Sequence, residues 1–518
     1  MTLPRRSPAA ASLVAAGIFL SRVAGLIRDR VFAHYFGDSA AADAFRAAFR
    51  IPNFLQTLFG EGVLSASFIP VYANLLAHGK REEAGRVAGA VLAILSLLTS
   101  TLVLIGVLAT PVFIDAIAPG FKGETRVLTI SLVRILFPGA GFFVLGAWCL
   151  GILNSHRRFF LSYSVSVLWN IAMIVALILF GTRQTQHDLA ATLAWASVAG
   201  SLLQFLAQLP VVLRLVPDLR IALATHLDSV RTVIRNFGPV FISRGVVQLS
   251  AYIDQIIASW LPTGSVAALS YAQTLYLLPV SLFGMSVSAS ELPEMSSVIG
   301  AQDEIAAQLR TRLVSGLRRI AFFVIPSVVA FIALGDIVTA AIYESRSGKF
   351  THDDVIFVWG ILAGSGVGLL ASTQGRLYSS AFYALRDTRT PLIFALIRVA
   401  LTTILGYLAA IHLPHWIGID AKWGVAGLTA SAGISGWIEF LLLRRSLSQR
   451  IGAAPVGLSY LARLWIAAII AAAATWAIKL KLPTTLHPIV LAGVTLIPFG
   501  LIYLALTDPR RLRERLRA

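Results

Sequence analysis

The chain has 518 residues, of which 57% are hydrophobic and 13% are charged, and its formal net charge is +18. A soluble domain carries about 25% charged residues, so this composition and a mean hydropathy of +0.79 indicate an integral membrane protein. The single cysteine, Cys149, excludes an intrachain disulfide and a cysteine-rich metal site. The basic residues are spread over many short segments between apolar runs, so we expect no nucleic acid partner.

Apolar runs of about 17 to 25 residues, the length that crosses a bilayer as a helix, recur along the whole chain. In chain order the predicted spans are 9–36, 41–75, 87–118, 127–153, 159–181, 189–213, 237–261, 265–298, 314–343, 355–384, 391–412, 423–443, 459–478 and 486–507. The predicted fold class is therefore an all-α integral membrane protein with about 14 transmembrane helices.

Lysine and arginine near the ends of the spans predict which loops are cytoplasmic. If the N-terminus lies inside, most of the basic residues fall on the inner side; they include Arg5/Arg6, Lys80/Arg81/Arg86, Arg157/Arg158, Arg214/Arg220/Arg231/Arg235, Arg310/Arg312/Arg318/Arg319, Arg386/Arg389 and Arg444/Arg445/Arg450. The first apolar run continues past Ser21 without a convincing cleavage site, so we interpret it as a retained helix. We expect both termini to be cytoplasmic, with an arginine-rich tail from Arg510 on the inner leaflet.

An internal match divides the chain into two halves. LFGEGVLSASFIP begins at Leu58 and LFGMSVSASELP begins at Leu282, about six helices later. An even number of helices gives both halves the same orientation, which predicts two parallel six-helix repeats plus two C-terminal helices. The predicted domains are an N-lobe of helices 1–6 at 1–215, a cytoplasmic amphipathic linker at 216–236, a C-lobe of helices 7–12 at 237–443, and helices 13–14 with the basic tail at 444–518.

Charged residues lie inside several predicted spans, where each costs about 2.5–3.5 kcal/mol at the bilayer centre. They are Arg22, Arg28, Asp29 and Arg30 on the first helix, Asp43, Arg46, Arg50 and Glu61 on the second, Arg244 and Asp254 on the seventh, and the more scattered Glu291, Arg376, Arg398 and Glu439 beyond. These charges line a hydrated cavity, or they form structural ion pairs and snorkel to an interface. Asp254 binds a coupling cation or pairs with an arginine such as Arg244.

The sequence has no phosphate-binding glycine loop, no HExxH-type metal motif and no separate soluble domain. These absences argue against an ATPase and against a membrane enzyme. We therefore expect a transporter with no catalytic residue and no metal site.

Four segments together resemble the MurJ (MviN-type) lipid II flippase family of the multidrug/oligosaccharidyl-lipid/polysaccharide exporter superfamily. The segments are SRVAGLIRDRVFAHYFG from Ser21, ADAFRAAFRIPNFLQTLFGEGVLSASFIPVY from Ala42, GILNSHRRF from Gly151 with Asn170 beyond it, and AFYALRDTRTP from Ala381. The resemblance covers essentially the whole chain.

The resemblance implies a flippase that moves lipid II, the undecaprenyl-pyrophosphate-linked peptidoglycan precursor, to the outer leaflet of the bacterial inner membrane by alternating access. It implies no cofactor, leaves the driving force open between membrane potential, sodium and protons, and suggests membrane lipids and peptidoglycan synthesis proteins as partners. By motif, Arg22 and Arg28 match the first-helix arginines of the family, Asp29 and Asp43 its neighbouring acids, and Asn53 and Glu61 its second-helix polar residues.

Two departures from the family pattern affect the expected pyrophosphate site. Gln56 and Thr274 stand where members of the family carry arginines. We hypothesise that Arg46, Arg50 or Arg244 replaces them, which adds these three residues to the candidate substrate-binding set. Two other functions stay open at this point: an exporter of another polyprenyl-linked saccharide, and a non-transporting scaffold of the cell envelope.

Overall fold

The computed structural model describes residues 8–59, 61–296, 298, 302–345, 347–483 and 486–507, which contain helices but no β-strand. The first ten helices are α1 (Pro8–Phe36), α2 (Ala40–Phe59), α3 (Glu61–Ala77), α4 (Arg81–Leu108), α5 (Thr110–Ile117), α6 (Gly123–Ser155), α7 (Phe159–Ser164), α8 (Ser166–Phe180), α9 (Gln186–Leu215) and α10 (Asp228–Ser259). The others are α11 (Ser265–Pro279), α12 (Ser286–Ser296), α13 (Gln302–Ala333), α14 (Gly335–Tyr343), α15 (His352–Ala384), α16 (Arg389–Tyr407), α17 (Leu413–Ile417), α18 (Gly424–Ile451), α19 (Leu458–Lys481) and α20 (Pro488–Thr507).

Eleven helical segments within the described residues are long and apolar enough to cross a membrane. The predicted spans 9–36, 41–75 and 237–261 are not among the eleven, although each is largely helical. These three spans carry the charges of the first, second and seventh predicted helices. The predicted class, an all-α multi-pass membrane protein, is confirmed, while the number fourteen stays a prediction.

The chain forms two compact units, Met1–Val266 and Ala267–Ala518. In the first unit, α6 packs against α2 and α9, α1 packs against α7 and α8, and α10 packs against α3. Its core includes Trp148, whose indole Nε1 donates to the Ala88 carbonyl at 3.1 Å. The predicted domain boundaries differ in position from this division and stay predictions of where the repeats begin.

In the second unit, α15 packs along α18 and also contacts α13 and α12. Gly368 of α15 faces Gly433 of α18, and a Cβ on Gly368 would lie 2.3 Å from the Gly433 Cα. Small residues allow membrane helices to approach this closely, which increases van der Waals contact where no hydrophobic effect drives helix association.

The second copy of the repeated LFG sequence lies in an irregular helical segment of the second unit. In the first unit, Leu58 and Phe59 of the matching sequence belong to α2, and Gly60 lies outside the described residues. In the second, a π-helical segment, Val280–Met285, follows Pro279, which removes a backbone donor. A Cβ on Gly284 would lie 2.9 Å from the Thr373 Cγ2, so glycine is needed for α15 to pack there.

Candidate functional site

Three of the predicted site residues form one ion-pair cluster in the first unit. Asp29 of α1 is 4% exposed, and its Oδ1 accepts hydrogen bonds from Arg28 Nη2 at 3.0 Å and from Arg46 Nη2 of α2 at 3.2 Å. The arginine side chains are 16% and 14% exposed. Two partly buried guanidinium groups therefore share one buried carboxylate.

Asn170 of α8 and Trp169 beside it hold the guanidinium of Arg28. Arg28 Nη1 donates to Asn170 Oδ1 at 3.2 Å, and Arg28 Cζ lies 4.7 Å from the centroid of the Trp169 ring. Asn170 Nδ2 donates to the Ser166 carbonyl at 3.1 Å, and Trp169 Nε1 donates to Ser197 Oγ at 3.0 Å. Because guanidinium only donates, these bonds fix the amide orientation of Asn170.

An aromatic group supports the second arginine of the cluster. Arg46 Cζ lies 4.4 Å from the centroid of the Phe32 ring, and Phe32 stacks on Phe36 at 4.6 Å and contacts Phe45 at 5.4 Å. A cation over an aromatic face contributes about 0.5–2 kcal/mol, depending on how far it is desolvated. Both arginines of the cluster are therefore fixed by a ring face as well as by Asp29.

Arg50 lies one turn beyond Arg46 but contacts α10. Its backbone carbonyl accepts a hydrogen bond from the Tyr252 hydroxyl at 2.8 Å, and its Cζ lies 6.0 Å from the Tyr252 ring centroid. The charge of Asp254 attracts the guanidinium of Arg50. The expected pairing of Asp254 with Arg244 is not tested, because the side chain of Arg244 lies outside the described residues.

Asp43 has a different environment from the arginines on the same helix. It is 3% exposed in the first turn of α2, and its Oδ2 accepts the Gly264 backbone N–H at 2.6 Å. Ser39 Oγ accepts the Ala42 N–H at 3.3 Å at the same helix end. Asp43 therefore ties the first turn of α2 to the segment after α10, and its carboxylate lies at the helix end where the helix dipole favours a negative charge.

The remaining predicted site residues do not join the cluster in the described part of the chain. Arg22 is exposed and makes no ion pair there, although Asp29 lies two turns along the same helix. Asn53 is half-buried, and its carbonyl accepts the Thr57 hydroxyl at 2.9 Å. Glu61 begins α3, but its side chain lies outside the described residues.

The second unit contains an intramembrane ion pair that the sequence pattern did not predict. Arg398 Nε of α16 lies 3.3 Å from Glu439 Oε2 of α18, although 41 residues separate them in the chain. Glu291 and Glu294 of α12 both face Arg312 of α13, at 3.7 and 2.8 Å. Charges that look scattered along the sequence are therefore paired by helix packing.

The chain is similar to known proteins over nearly its full length. Residues 32–494 match the family described as lipid II flippase MurJ. A lipid II flippase MurJ of Burkholderia cenocepacia is 31% identical over 83% of this chain and 82% of that protein. The structure of a lipid II flippase MurJ in an inward closed conformation has a TM-score of 0.78 and 25% identity, over 97% of this chain and 99% of the other.

A more distant structure supports the fold alone. The inward-facing conformation of a multidrug resistance MATE family transporter of the MOP superfamily has a TM-score of 0.64 and 18% identity, over 85% of this chain. The family match and the curated relative cover more than four fifths of the chain at up to 31% identity. The chain therefore belongs to the lipid II flippase MurJ family.

Proposed function

We propose that the chain flips lipid II from the inner to the outer leaflet of the bacterial cytoplasmic membrane by alternating access, for peptidoglycan and cell wall synthesis. Membership of the lipid II flippase MurJ family supports this function. The observation that carries the proposal for this chain's own residues is the Arg28–Asp29–Arg46 cluster, in which two guanidinium groups share one carboxylate.

The cluster has the chemistry that a pyrophosphate requires. Each guanidinium has five N–H donors, and Arg28 uses one nitrogen for Asp29 and another for Asn170. Arginine also matches the geometry of phosphate oxygens in two-point contacts. Asp29 already bonds to both guanidinium groups, so an incoming phosphate competes with this carboxylate. That competition keeps the binding reversible, which a transport cycle needs.

Arg46 is the best-supported replacement for the family arginine that is absent at Gln56. It shares Asp29 with Arg28, whereas Arg50 is held by α10. Arg22, Asp43, Arg50, Asn53, Glu61 and Arg244 stay in the proposed substrate-binding set as predictions from the sequence.

The transport step makes and breaks no covalent bond, so the protein acts as a transporter and needs no catalytic residue or cofactor. We propose a multi-pass topology with both termini cytoplasmic, as the distribution of arginine and lysine predicts. Membrane potential, sodium or protons drive the cycle in this proposal, and peptidoglycan synthesis proteins consume the product. The family membership favours lipid II over another polyprenyl-linked saccharide and over a scaffold role.

Complementation tests this function. The full chain is expressed in a bacterium depleted of its own lipid II flippase, beside the variants Arg28→Ala and Arg126→Ala. Arg126 pairs with Asp115 at 2.8 Å on the exposed surface of the first unit, so it is a matched control. We expect rescue by the wild type and by Arg126→Ala, and loss of rescue by Arg28→Ala at equal membrane levels. Failure of the well-expressed wild type would contradict the proposed function.

A further inference from the structure

The second unit contains a polar cluster built from four helices. The Tyr276 hydroxyl of α11 lies 2.8 Å from Ser372 Oγ of α15, and Arg376 follows Ser372 by one turn on the same face. Arg398 of α16 and Glu439 of α18 form the ion pair described above. Both guanidinium charges act on the Tyr276 hydroxyl and on the Glu439 carboxylate, so these side chains share one environment.

This cluster has one more positive charge than negative charge. Glu439 neutralises Arg398, whereas the guanidinium of Arg376 makes no hydrogen bond or ion pair with any described residue and is exposed. Arg376 lies eight residues before the end of α15, about 12 Å inside the end that the positive-inside pattern predicts to be cytoplasmic. An arginine at such a position requires water or an anionic partner.

The neighbouring hydroxyl groups are arranged for an exchangeable hydrogen bond. Ser372 Oγ donates its one hydrogen to the Leu369 carbonyl at 3.1 Å, so the Tyr276 hydroxyl donates to Ser372. A small rotation would turn the Tyr276 hydrogen toward an anion beside Arg376. Two residues before Tyr276 on α11, the Thr274 hydroxyl donates to the Ser270 carbonyl at 3.0 Å. Thr274 therefore supplies no substitute for the arginine that the family carries there.

We propose that Arg376, with the hydroxyl of Tyr276, forms a phosphate-binding subsite on the cytoplasmic side of the second unit, flanked by the Arg398–Glu439 pair. Its ligand is the pyrophosphate of a polyprenyl-linked substrate. This inference rests on the proposed function for the identity of the ligand. The subsite uses the Arg376 guanidinium of α15, whereas Thr274 of α11 stands where the family carries an arginine.

The predicted repeat relates two of the four helices of this cluster to helices of the first-unit cluster. In the first unit, Arg46 comes from the second predicted helix and Asn170 from the fifth. In the second unit, Tyr276 comes from the eighth and Arg398 from the eleventh, which are the corresponding helices of the second half. Each half thus places polar side chains from equivalent helices beside an arginine and a carboxylate.

Lipid binding to the purified full chain tests the subsite. The probes are undecaprenyl pyrophosphate, uncharged undecaprenol and phosphatidylglycerol, and the readout is the affinity of each by native mass spectrometry. The variants are Arg376→Gln, the charge-retaining Arg376→Lys, and the control Arg445→Gln on the exposed surface of α18. We expect Arg376→Gln to weaken undecaprenyl pyrophosphate binding about tenfold or more, Arg376→Lys to weaken it less, and undecaprenol binding to stay unchanged.

Unchanged undecaprenyl pyrophosphate binding in Arg376→Gln would overturn the subsite. An equal loss of phosphatidylglycerol would also overturn it, since the site would then bind any phospholipid headgroup. If Arg376→Gln does not fold, the test uses Arg376→Lys and Tyr276→Phe: weaker undecaprenyl pyrophosphate binding in both supports the subsite, and unchanged binding in Tyr276→Phe overturns it. A wild-type chain that fails complementation while Arg376→Gln loses pyrophosphate binding would contradict the proposed function and leave the subsite standing.

Discussion

The two units each hold a carboxylate against arginine inside predicted membrane spans, but the burial of these ion pairs differs. In the first unit, Arg28 and Arg46 share Asp29, whose side chain is 5% exposed. In the second, Glu439 forms an ion pair with Arg398, and their side chains are 16% and 38% exposed. Removal of one member of a buried pair leaves an uncompensated charge, which costs more the less water can reach it. Carboxylate–arginine ion pairs in different membrane spans therefore contribute unequally to stability, according to how deeply each is buried.

The largest effect is expected from Asp29→Asn. This variant leaves Arg28 and Arg46 facing each other without the carboxylate between them, and the loss of a partner in a buried pair destabilises by about 3–5 kcal/mol. We expect a large fall in the thermal unfolding midpoint of the purified protein in detergent. The measurement is intrinsic fluorescence during heating, with the variant and wild type in the same detergent.

Glu439→Gln is the matched variant in the second unit. Since Arg398 is 38% exposed, this pair is less buried than the first-unit cluster, and the midpoint should fall by clearly less than in Asp29→Asn. Equal midpoints for the two variants would break the comparison, because they would mean that burial of the pair does not decide its contribution.

A smaller effect is expected from Asn170→Ala. The variant removes the acceptor for Arg28 Nη1, and loss of one partner of a buried hydrogen bond costs about 1–3 kcal/mol. Asn154→Ala is the control, since Asn154 Oδ1 is buried without a hydrogen-bond partner in the described residues. We expect Asn170→Ala to lower the unfolding midpoint more than Asn154→Ala. The reverse order would show that the bond to Arg28 contributes little.

The smallest effect concerns the loop that leads into α16 and therefore positions Arg398. Hydrogen bonds from the Thr390 hydroxyl and backbone N–H, together with the Arg450 guanidinium at 2.7 Å, lower the pKa of Asp387 to about 2. A lowered pKa stabilises the fold above the ordinary carboxyl pKa of about 3.9, and this contribution is lost as the pH falls toward 2. The stability difference between wild type and Asp387→Asn should therefore be constant above about pH 5 and shrink below about pH 4.

Unfolding midpoints of wild type and Asp387→Asn across this pH range provide the measurement. Asp353→Asn, at the opposite end of α15, separates the effect of this loop from that of a changed net charge. A difference that stays the same down to pH 2 would contradict the role of the Asp387 carboxylate.

The sequence alone predicted the helical class, most of the spans and three residues of the first-unit cluster. Span length and apolar content are local properties, so a run such as 355–384 is recognised without knowledge of its neighbours, and α15 covers it. The spacing of Arg22 and Asp29 placed them on one face of α1, but spacing could not show that Asp29 is buried and Arg22 exposed. The family resemblance also pointed to Asn170, although not to its bond with Arg28.

Pairing between distant residues was decided only by the tertiary structure. Asp43, Arg46 and Arg50 follow one helical stripe, yet they contact Gly264, Asp29 and Tyr252 respectively. Trp169 under Arg28 had no signal in the sequence beyond an aromatic residue in an apolar run. Likewise Arg398 and Glu439 meet because α16 packs on α18.

The sequence by itself determined that this protein is a helical membrane transporter of the lipid II flippase MurJ family, because hydropathy, loop charge and family motifs depend only on the order of the residues. The tertiary structure decided which intramembrane charges neutralise one another and which keep an excess positive charge. That choice depends on distances between helices far apart in sequence and on the water that reaches each side chain, neither of which residue order specifies.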